Sequence, residues 1–357
     1  MATPLQVAVV GAGSFGRNHL RVYRELEVLH PGLVQLAALV DPDAQRRTDL
    51  AAQYNIPAYT SVADLLGAPD PSPLGTRVSA ASVCVPTIRH AAVAEQLLRA
   101  GIDVLIEKPF AATLADADRV LALAQQHARI LSVGHLERFN PAVTAVAQRI
   151  TRPMFFEAHR LSIFTPRSLD VDVVLDLMIH DLDIVLSLTG SAVREVRAVG
   201  LPVLSPKVDI ANVRLEFESG CIANFTASRV STELVRKLRL FQPHQYLSLD
   251  FARQELISID VDPTVIAAAI AANPHSITGI AVAPPNATAH PSAGLSMQQV
   301  EVPHGEPLRL ELEHFLHCVR DRTPPRVTGE AGRAALALAL EINDRIAAHA
   351  RRAGLAP

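Results

Sequence analysis

A lysine at the end of a buried strand is the first candidate for chemistry in this sequence. Residues 101–110 read GIDVLIEKPF, an apolar run that ends in a carboxylate, an ammonium group and a proline. Open α/β sheets bind their ligands at the carboxyl ends of their strands, and Lys108 follows such a strand directly. The pattern therefore indicates a functional position for Lys108 rather than an ordinary surface lysine.

A second candidate cluster lies on a predicted helix over 171–188. The stretch 170–183, DVDVVLDLMIHDLD, places carboxylates and an imidazole on an otherwise apolar helix. Asp176 and His180 are four residues apart, and Asp183 follows three residues later, so the three share a face. The unperturbed pKa of an imidazole lies near working pH, so His180 is the best candidate for a general base. A packed core histidine among surface aspartates is the alternative, and a metal site is disfavoured because the helix supplies few ligands.

A glycine-rich turn near the N-terminus has the spacing of a dinucleotide-binding loop. VAVVGAGSFGRNH places Gly11, Gly13 and Gly16 directly after a strand and at the opening of a helix. The first glycine permits the tight turn, the second lets the backbone approach a pyrophosphate, and the third lets the helix pack on the strand. The phosphates would lie against the helix N-terminus.

The next predicted strand ends in a carboxylate that selects the cofactor. Asp41 closes LAALVD and can bind the ribose 2′-hydroxyl, and its charge would repel a 2′-phosphate. The sequence therefore predicts NAD rather than NADP. Arg46 and Arg47 come slightly late for binding a 2′-phosphate, yet they leave NADP open.

The elements that position these residues alternate over the first 150 residues. Short apolar runs, from QVAVVG to RILSVG, are separated by segments with helical periodicity. Strands separated by helices of this length form βαβ units and a parallel sheet. We therefore predict an α/β Rossmann domain, parallel and doubly wound, over residues 1–135.

After about residue 150 the pattern changes to strands without helices between them. These predicted strands are 192–203, 208–218, 221–230, 235–241 and 244–250. Such a run indicates an antiparallel sheet, so residues 136–357 should form an α+β domain with a largely antiparallel open sheet, for substrate binding and oligomerisation. Two closing helices, 307–321 and 328–352, could pack back on the first domain. The Ala- and Pro-rich segment 263–305 is predicted to be a loop.

Composition narrows the class of protein. The 357 residues suffice for two domains, and the net charge of −3 comes from interspersed charges, which disfavours a nucleic-acid surface. Cys84, Cys221 and Cys318 form no CxxC pair, so neither a disulfide framework nor a zinc site is indicated, and Cys84 should be a core residue. No export signal and no run of about 18 apolar residues is present. We expect a cytoplasmic protein that binds neither nucleic acid nor membranes.

Taken together, the motifs resemble the Gfo/Idh/MocA oxidoreductases, the relatives of glucose–fructose oxidoreductase and inositol dehydrogenase. The resemblance runs through the glycine turn, CVPTIRHAAVAEQLLRAGIDVLIEKPFA (84–111), VGHLERFNPAV (133–143) and the D-x-x-x-H helix. In that family the E-K-P lysine and the D-x-x-x-H aspartate and histidine line the site. By position they are Lys108, Asp176 and His180, which the resemblance implies are catalytic.

The motifs and the resemblance together indicate the binding residues, and Arg138 and Asn140 are favoured because both follow a strand end beside the expected site. Those expected to bind the cofactor NAD are Gly11, Gly13, Ser14, Phe15, Gly16, Asp41, Pro86, Thr87, His90, Glu107 and Lys108. Those expected to bind substrate are Arg138, Asn140, Arg160, Asp176 and His180, with no metal. In one departure, Asp172 and Val173 stand where many members carry a glycine pair before the helix, so the local substrate loop differs from the family pattern.

Within the family the chain looks like the bacterial nucleotide-sugar branch, which includes UDP-N-acetylglucosamine 3-dehydrogenase. The stretches that carry this likeness are GHLERFNPAV, LDLMIHDLDIVLSLTG and STELVRKLRLF. That enzyme makes a 3-keto sugar, which an aminotransferase converts for lipid A with amide-linked chains. A diphosphate needs cations, and Arg138, Arg160, Arg167, Arg236, Lys237 and Arg239 are available. A cyclitol or free-sugar dehydrogenase and a non-catalytic nucleotide-sensing regulator are the alternatives.

The antiparallel half is also expected to mediate assembly. Its strands, as in VRLEFESGCIANFTAS, are predicted to alternate apolar residues on both faces. A sheet that helices cover on only one side commonly pairs with a second copy. The sequence therefore predicts a homodimer or homotetramer through this sheet.

Overall fold

The structure is a computed structural model that describes residues 3–68, 77–164, 171–265, 267 and 294–355. By internal contacts the chain divides into two units. The first consists of Met1–Phe139 and Gly305–Ala337, and the second of Asn140–His304 and Leu338–Pro357. The first unit therefore takes in residues 305–337 in addition to the predicted N-terminal domain.

The first unit is built on a six-stranded parallel sheet. Its strands are β1 (Leu5–Val10), β2 (Val34–Val40), β3 (Ala58–Tyr59), β4 (Ala80–Val83), β5 (Asp103–Glu107) and β6 (Leu131–Gly134). They lie in the order β3-β2-β1-β4-β5-β6, so the strand order reverses between β1 and β4. Ligands of doubly wound sheets bind outside the carboxyl ends of the strands at this point. The predicted parallel, doubly wound sheet is confirmed.

The second unit contains an eight-stranded sheet. Its strands are β7 (Phe155–Ile163), β8 (Val193–Leu201), β9 (Ile210–Phe217), β10 (Ile222–Ser231), β11 (Val235–Gln242), β12 (Gln245–Asp250), β13 (Glu255–Val261) and β14 (Leu295–Val300). They lie in the order β14-β13-β12-β11-β7-β10-β9-β8. Every pair is antiparallel except β7 with β10, which run parallel. The predicted, largely antiparallel sheet is confirmed.

Helices connect and flank the strands of both units. They are α1 (Ser14–Leu29), α2 (Ala44–Tyr54), α3 (Val62–Gly67), α4 (His90–Arg99), α5 (Leu114–Gln126), α6 (Pro141–Ala147), α7 (Ile179–Thr189), α8 (Pro307–Asp321) and α9 (Gly329–Arg352). The bounds of α8 and α9 match the two predicted closing helices. No helix in the described ranges combines the length and hydropathy that crossing a lipid bilayer would require.

Helix α1 owes its position to an apolar face that packs on helix α8. Leu20, Tyr23 and Leu26 of α1 lie in one buried cluster with Leu312 and Phe315 of α8. Burying apolar side chains of this size is worth about 1.5–3 kcal/mol each. The glycine turn that precedes α1 is therefore held on a rigid support.

The second sheet differs from the prediction in the character of its two faces. On β9 and β10, Val213 and Phe225 are buried, whereas their neighbours in sequence are polar and more exposed. Arg214 donates to Asn224 across these strands at 3.2 Å. The expectation of apolar residues on both faces is therefore wrong, because alternation along each strand sends the apolar set to one side.

Strands β7, β13 and β14 and a π-helical turn of the second unit were not predicted from the sequence. The predicted loop 263–305 includes strand β14, which pairs with β13, while residues 266 and 268–293 lie outside the described residues. The predicted helix 171–188 starts with a π-helical turn over Val174–Met178 and continues as α7. Asp176 lies in that turn.

Candidate functional site

The glycine turn lies where the strand order reverses, and its shape requires glycine. Gly11 has a φ of +89°, and a Cβ there would lie 2.7 Å from the backbone nitrogen of Val85, in the loop after β4. A Cβ on Gly16 would overlap the carbonyl oxygen of Gly11. At Gly13, by contrast, no heavy atom lies within 4 Å of the Cβ position. Open space beside the first turn of α1 fits the pyrophosphate of a dinucleotide.

Two alanine substitutions in this turn should separate folding from cofactor binding. In Gly16→Ala the methyl group forces the turn and α1 apart, so we expect the unfolding free energy to fall by about 1–3 kcal/mol and NAD affinity to fall with it. In Gly13→Ala the methyl group occupies only the open space, so we expect an unchanged melting temperature and NAD affinity about tenfold weaker, which is about 1.4 kcal/mol. Thermal melting and calorimetric titration with NAD measure both. Normal NAD affinity in Gly13→Ala would contradict this position for the pyrophosphate.

Asp41 lies beside the same turn and is almost fully buried. One carboxylate oxygen accepts the backbone N–H of Ala12 at 2.7 Å, and the other accepts that of Asp43 at 2.9 Å. The guanidinium of Arg46 lies 3.2 Å from both oxygens, while Arg47 donates to the Asp41 carbonyl at 2.8 Å. The carboxylate is therefore fixed at the end of β2, where the sequence predicted a ribose contact. Arg46 lies in the first turn of α2, and this turn brings its guanidinium back to the Asp41 carboxylate. The sequence spacing alone did not indicate this contact.

The loops after β4 and β5 carry the next group of predicted cofactor residues. Pro86 is exposed, and Thr87 is half-buried at the start of a 3₁₀ turn. His90 is buried, and its two ring nitrogens lie 2.9 Å from the Pro109 carbonyl oxygen and 2.8 Å from that of Val85. Burial lowers the pKa of the imidazole. His90 therefore ties the two loops together and would act on the cofactor through them.

Cys84 precedes that loop and behaves as a structural residue. It follows β4 and is half-buried. Desolvation by burial and the nearby carboxylates of Glu107 and Glu311 raise the pKa of its thiol well above the usual range. Because the thiolate is the reactive form of cysteine, the side chain is inert at neutral pH.

Lys108 follows β5, and a buried hydrogen bond between His19 and Glu107 supports its backbone. The Glu107 carboxylate contacts Nε2 of His19 at 2.9 Å and lies 3.3 Å from the backbone nitrogen of Lys108. Both His19 and Glu107 are buried, Lys108 is half-buried, and the peptide between Lys108 and Pro109 is cis. His19 was not among the predicted site residues. The available signal was its position three residues after Gly16, on the buried face of α1.

In the second unit, Asp176 and His180 lie on successive turns, both half-buried. The start of this segment is capped by Asp172, whose carboxylate accepts the N–H groups of Val174 and Leu175, each at 3.1 Å. Its other oxygen accepts from the side-chain amide of Asn343 at 2.9 Å. Asp172 thus stabilises the helix N-terminus. The π-helical turn is of a kind that often marks functional sites.

The predicted substrate arginines and asparagine have well-defined environments. Arg160 is buried and forms a bidentate pair with Asp181, at 2.9 and 2.8 Å, so a phosphate would have to compete with that carboxylate. Asn140 is buried, accepts the N–H of Ala142 at 3.1 Å and donates to the Phe251 carbonyl at 3.0 Å. Their roles in substrate binding stay predictions. Arg138 is half-buried in the turn after β6, and Arg167 lies outside the described residues.

Among the described residues, no group of three or more His, Cys, Asp or Glu side chains is arranged to hold a metal ion. The first unit instead supplies Lys108 and the Asp41 carboxylate with the glycine turn, and the second unit supplies Asp176 and His180. Such groups can bind a dinucleotide, move a proton and stabilise negative charge on an oxygen.

Comparison with known proteins gives matches along almost the whole chain. A model of the GFO_IDH_MocA oxidoreductase family, NAD-binding Rossmann fold, matches residues 5–135, and the GFO/IDH/MocA C-terminal domain matches residues 143–241. UDP-N-acetylglucosamine 3-dehydrogenase of Acidithiobacillus ferrooxidans is 34% identical, over 98% of this chain and 99% of that protein. A solved structure of that enzyme covers 97% of this chain and 98% of its own, with 33% identity and a TM-score of 0.81.

More distant relatives share the architecture. D-apiose dehydrogenase of Paraburkholderia graminis is 26% identical, over 93% of this chain and 84% of that protein. An oxidoreductase from Agrobacterium radiobacter, crystallised with NAD⁺, L-tartaric acid and magnesium, is 16% identical with a TM-score of 0.76, and each chain is covered to 96%. At that identity the likeness extends to the fold alone.

Proposed function

The chain belongs to the Gfo/Idh/MocA oxidoreductase family, and from that premise we propose that it is an NAD-dependent dehydrogenase of a nucleotide sugar. The reaction proposed is oxidation of the 3-hydroxyl of UDP-N-acetylglucosamine to the 3-keto sugar. The observation that carries the substrate is the 34% identity to a UDP-N-acetylglucosamine 3-dehydrogenase over 98% of this chain. NAD, when bound, takes up the hydride from the carbinol carbon.

The chain's own residues have three tasks in this proposal. His180 takes the proton from the carbinol oxygen, since an imidazole exchanges protons near neutral pH. Lys108 donates a hydrogen bond to the same oxygen and stabilises the negative charge that develops there. Asp176 orients His180 or binds a neighbouring hydroxyl.

The substrate is tested by a screen at the NADH absorbance band. We expect UDP-N-acetylglucosamine with NAD to give the fastest absorbance increase among UDP-sugars, glucose and myo-inositol. Glucose or myo-inositol as the best substrate would instead identify a free-sugar or cyclitol dehydrogenase of the same family. No activity with any of them, together with tight NAD binding, would favour a nucleotide-sensing regulator.

Asp41 should set the preference for NAD over NADP. Asp41→Ala removes the charge that would repel a 2′-phosphate, so we expect the ratio of NAD to NADP affinities to fall. Asp43→Ala is the matched control, because Asp43 is an exposed cap whose carboxylate accepts the Arg46 N–H at 2.8 Å. Titration calorimetry with each dinucleotide measures the ratio. Equal affinities in the unmodified protein would show that Asp41 does not select the cofactor.

We also propose that the protein is a homodimer or homotetramer through the second sheet. Large apolar side chains at the ends of its strands are exposed, among them Ile163 at 55% and Phe241 at 38%, with Leu234 at 58% between two strands. Exposed apolar side chains that lie together mark contact surfaces, and Ile163 and Leu234 lie at the same end of the paired strands β7 and β11. Light scattering at micromolar concentration should give a multiple of 38.4 kDa, and the mass of one chain would contradict the proposal.

A further inference from the structure

Two arginines of the first unit are held together by contacts with each other's backbone. Arg326, in the segment between α8 and α9, donates from Nη1 to the carbonyl oxygen of Arg138 at 3.1 Å. Nη2 of Arg138 lies 3.5 Å from the carbonyl oxygen of Arg326. Each guanidinium therefore lies beside the other residue's main chain. Two positive charges therefore lie close together in the region that follows strand β6 of the first sheet.

The segment that carries Arg326 is fixed by two further contacts. The guanidinium carbon of Arg326 lies 4.8 Å from the centre of the Phe139 ring. At this distance a cation is attracted to the ring face. The backbone N–H of Arg326 donates to Nε2 of His314 at 2.9 Å. Burial and the charge of Arg326 lower the pKa of His314, so its ring stays a neutral acceptor. Arg326 is thus held in place before any ligand arrives.

Two positive charges in the same neighbourhood repel each other, and a phosphate group that contacts both guanidinium groups would offset that repulsion. Partial burial and the charge of Arg138 both lower the pKa of Arg326, which is the sign of such repulsion. Arg326 is exposed and Arg138 half-buried, so a ligand from solvent can reach the pair. The planar guanidinium fork matches phosphate oxygens in two parallel hydrogen bonds.

We propose that Arg326 acts with Arg138 to bind the diphosphate of the nucleotide-sugar substrate. This inference rests on the proposed function, because a free sugar or cyclitol has no phosphate for the pair to hold. Arg138 was predicted as a substrate residue from its position after β6. Arg326 was not, since the pairing of the two segments is visible only in the fold.

The test is calorimetric titration of the complete protein, in the presence of NAD, with UDP and with uridine. Arg326→Gln removes the charge but keeps a polar side chain, and we expect UDP affinity to fall about 10- to 100-fold, as for a lost hydrogen bond to a charged group. Uridine affinity and NAD affinity should not change. Arg326→Lys keeps a charge without the fork and should recover part of the UDP affinity. Arg333→Gln removes the same charge from a site paired with Asp118 on α5, and it should bind UDP normally.

The outcomes separate this inference from the function on which it rests. If the unmodified protein does not bind UDP, the proposed function fails and the inference falls with it. If the unmodified protein binds UDP and Arg326→Gln binds it equally well, the inference alone is overturned. Parallel losses of UDP and uridine affinity in Arg326→Gln would overturn it too, because they would show that Arg326 only supports the loop. Melting curves of each variant confirm that the proteins compared are folded.

Discussion

Replacing His180 by asparagine should lower turnover by about 10²–10⁴-fold, the range for a lost acid–base group, and leave NAD affinity almost unchanged. Asparagine keeps a polar side chain but cannot take up a proton at neutral pH. The glycine turn to which we assign NAD binding belongs to the first unit, whereas His180 belongs to the second. Turnover, NAD affinity and melting temperature should be measured on the same sample.

The melting temperature separates a general base from a packed histidine. If His180 were only a packed core residue, replacing it would lower the stability of the protein. The molecules that remain folded would keep their activity. A destabilised but fully active His180→Asn protein would therefore end the proposed mechanism. His159→Asn is the matched control, since His159 is a half-buried imidazole on β7 beside Glu157. It should change neither turnover nor NAD affinity.

Replacing Lys108 by methionine should cost turnover about 10²–10³-fold, as for a lost donor to a developing oxyanion. Methionine has a similar length but carries neither charge nor donor. The backbone of Lys108 is fixed through Glu107 and His19, so the variant should keep the shape of the loop. Steady-state turnover with the best substrate of the screen measures the loss. Lys207→Met, which removes an exposed lysine between β8 and β9, is the control and should be fully active.

The double variant tests whether Lys108 and His180 act as a unit. If both groups serve the same substrate oxygen, removing the second after the first costs little more. We therefore expect the double variant to be only slightly slower than the slower single variant. A loss equal to the product of the two single losses would mean that the two side chains act on different steps.

The first sheet could be predicted because its determinants are local. Each buried strand is a short apolar run, and each helix shows apolar residues at helical spacing. Because strands and helices alternate along the chain, the sheet is parallel. The glycine spacing then locates the turn, and the strand end locates Lys108. These features need only residues that are close together in sequence.

The parts that were missed depend on contacts between distant segments. Strand β7 reads FFEAHRLSI and carries charged residues, and it is a strand because β10 and β11 pair with it on either side. Strand β14 lies at the end of an Ala- and Pro-rich segment and gains its structure from β13. The π-helical turn over Val174–Met178 likewise differs from an α-helix by a hydrogen-bond shift that side-chain periodicity does not register.

In the candidate site, too, sequence motifs predicted some residues, whereas others are visible only in the fold. Motifs identified Lys108 and the glycines, but the partners that hold the site residues came from the fold. The contacts of His19 with Glu107, of Arg46 with Asp41 and of Asp181 with Arg160 join residues whose separation in the sequence does not predict the contact. Such partners matter because a functional side chain keeps one orientation only when a neighbouring residue hydrogen-bonds to it.

The parallel pairing of β7 with β10 has a consequence for how the second unit folds. Phe155 pairs with Ile222 and Leu161 with Ser228, so the middle of the sheet joins segments that lie about 70 residues apart in the chain. Closing a loop of that length costs entropy before any contact compensates for it, and such topologies fold slowly. The β12–β13 hairpin, by contrast, can form early from neighbouring residues. We therefore expect strand β7 to pair with β10 after the local hairpins have formed, which leaves the paired edges of both strands exposed until then.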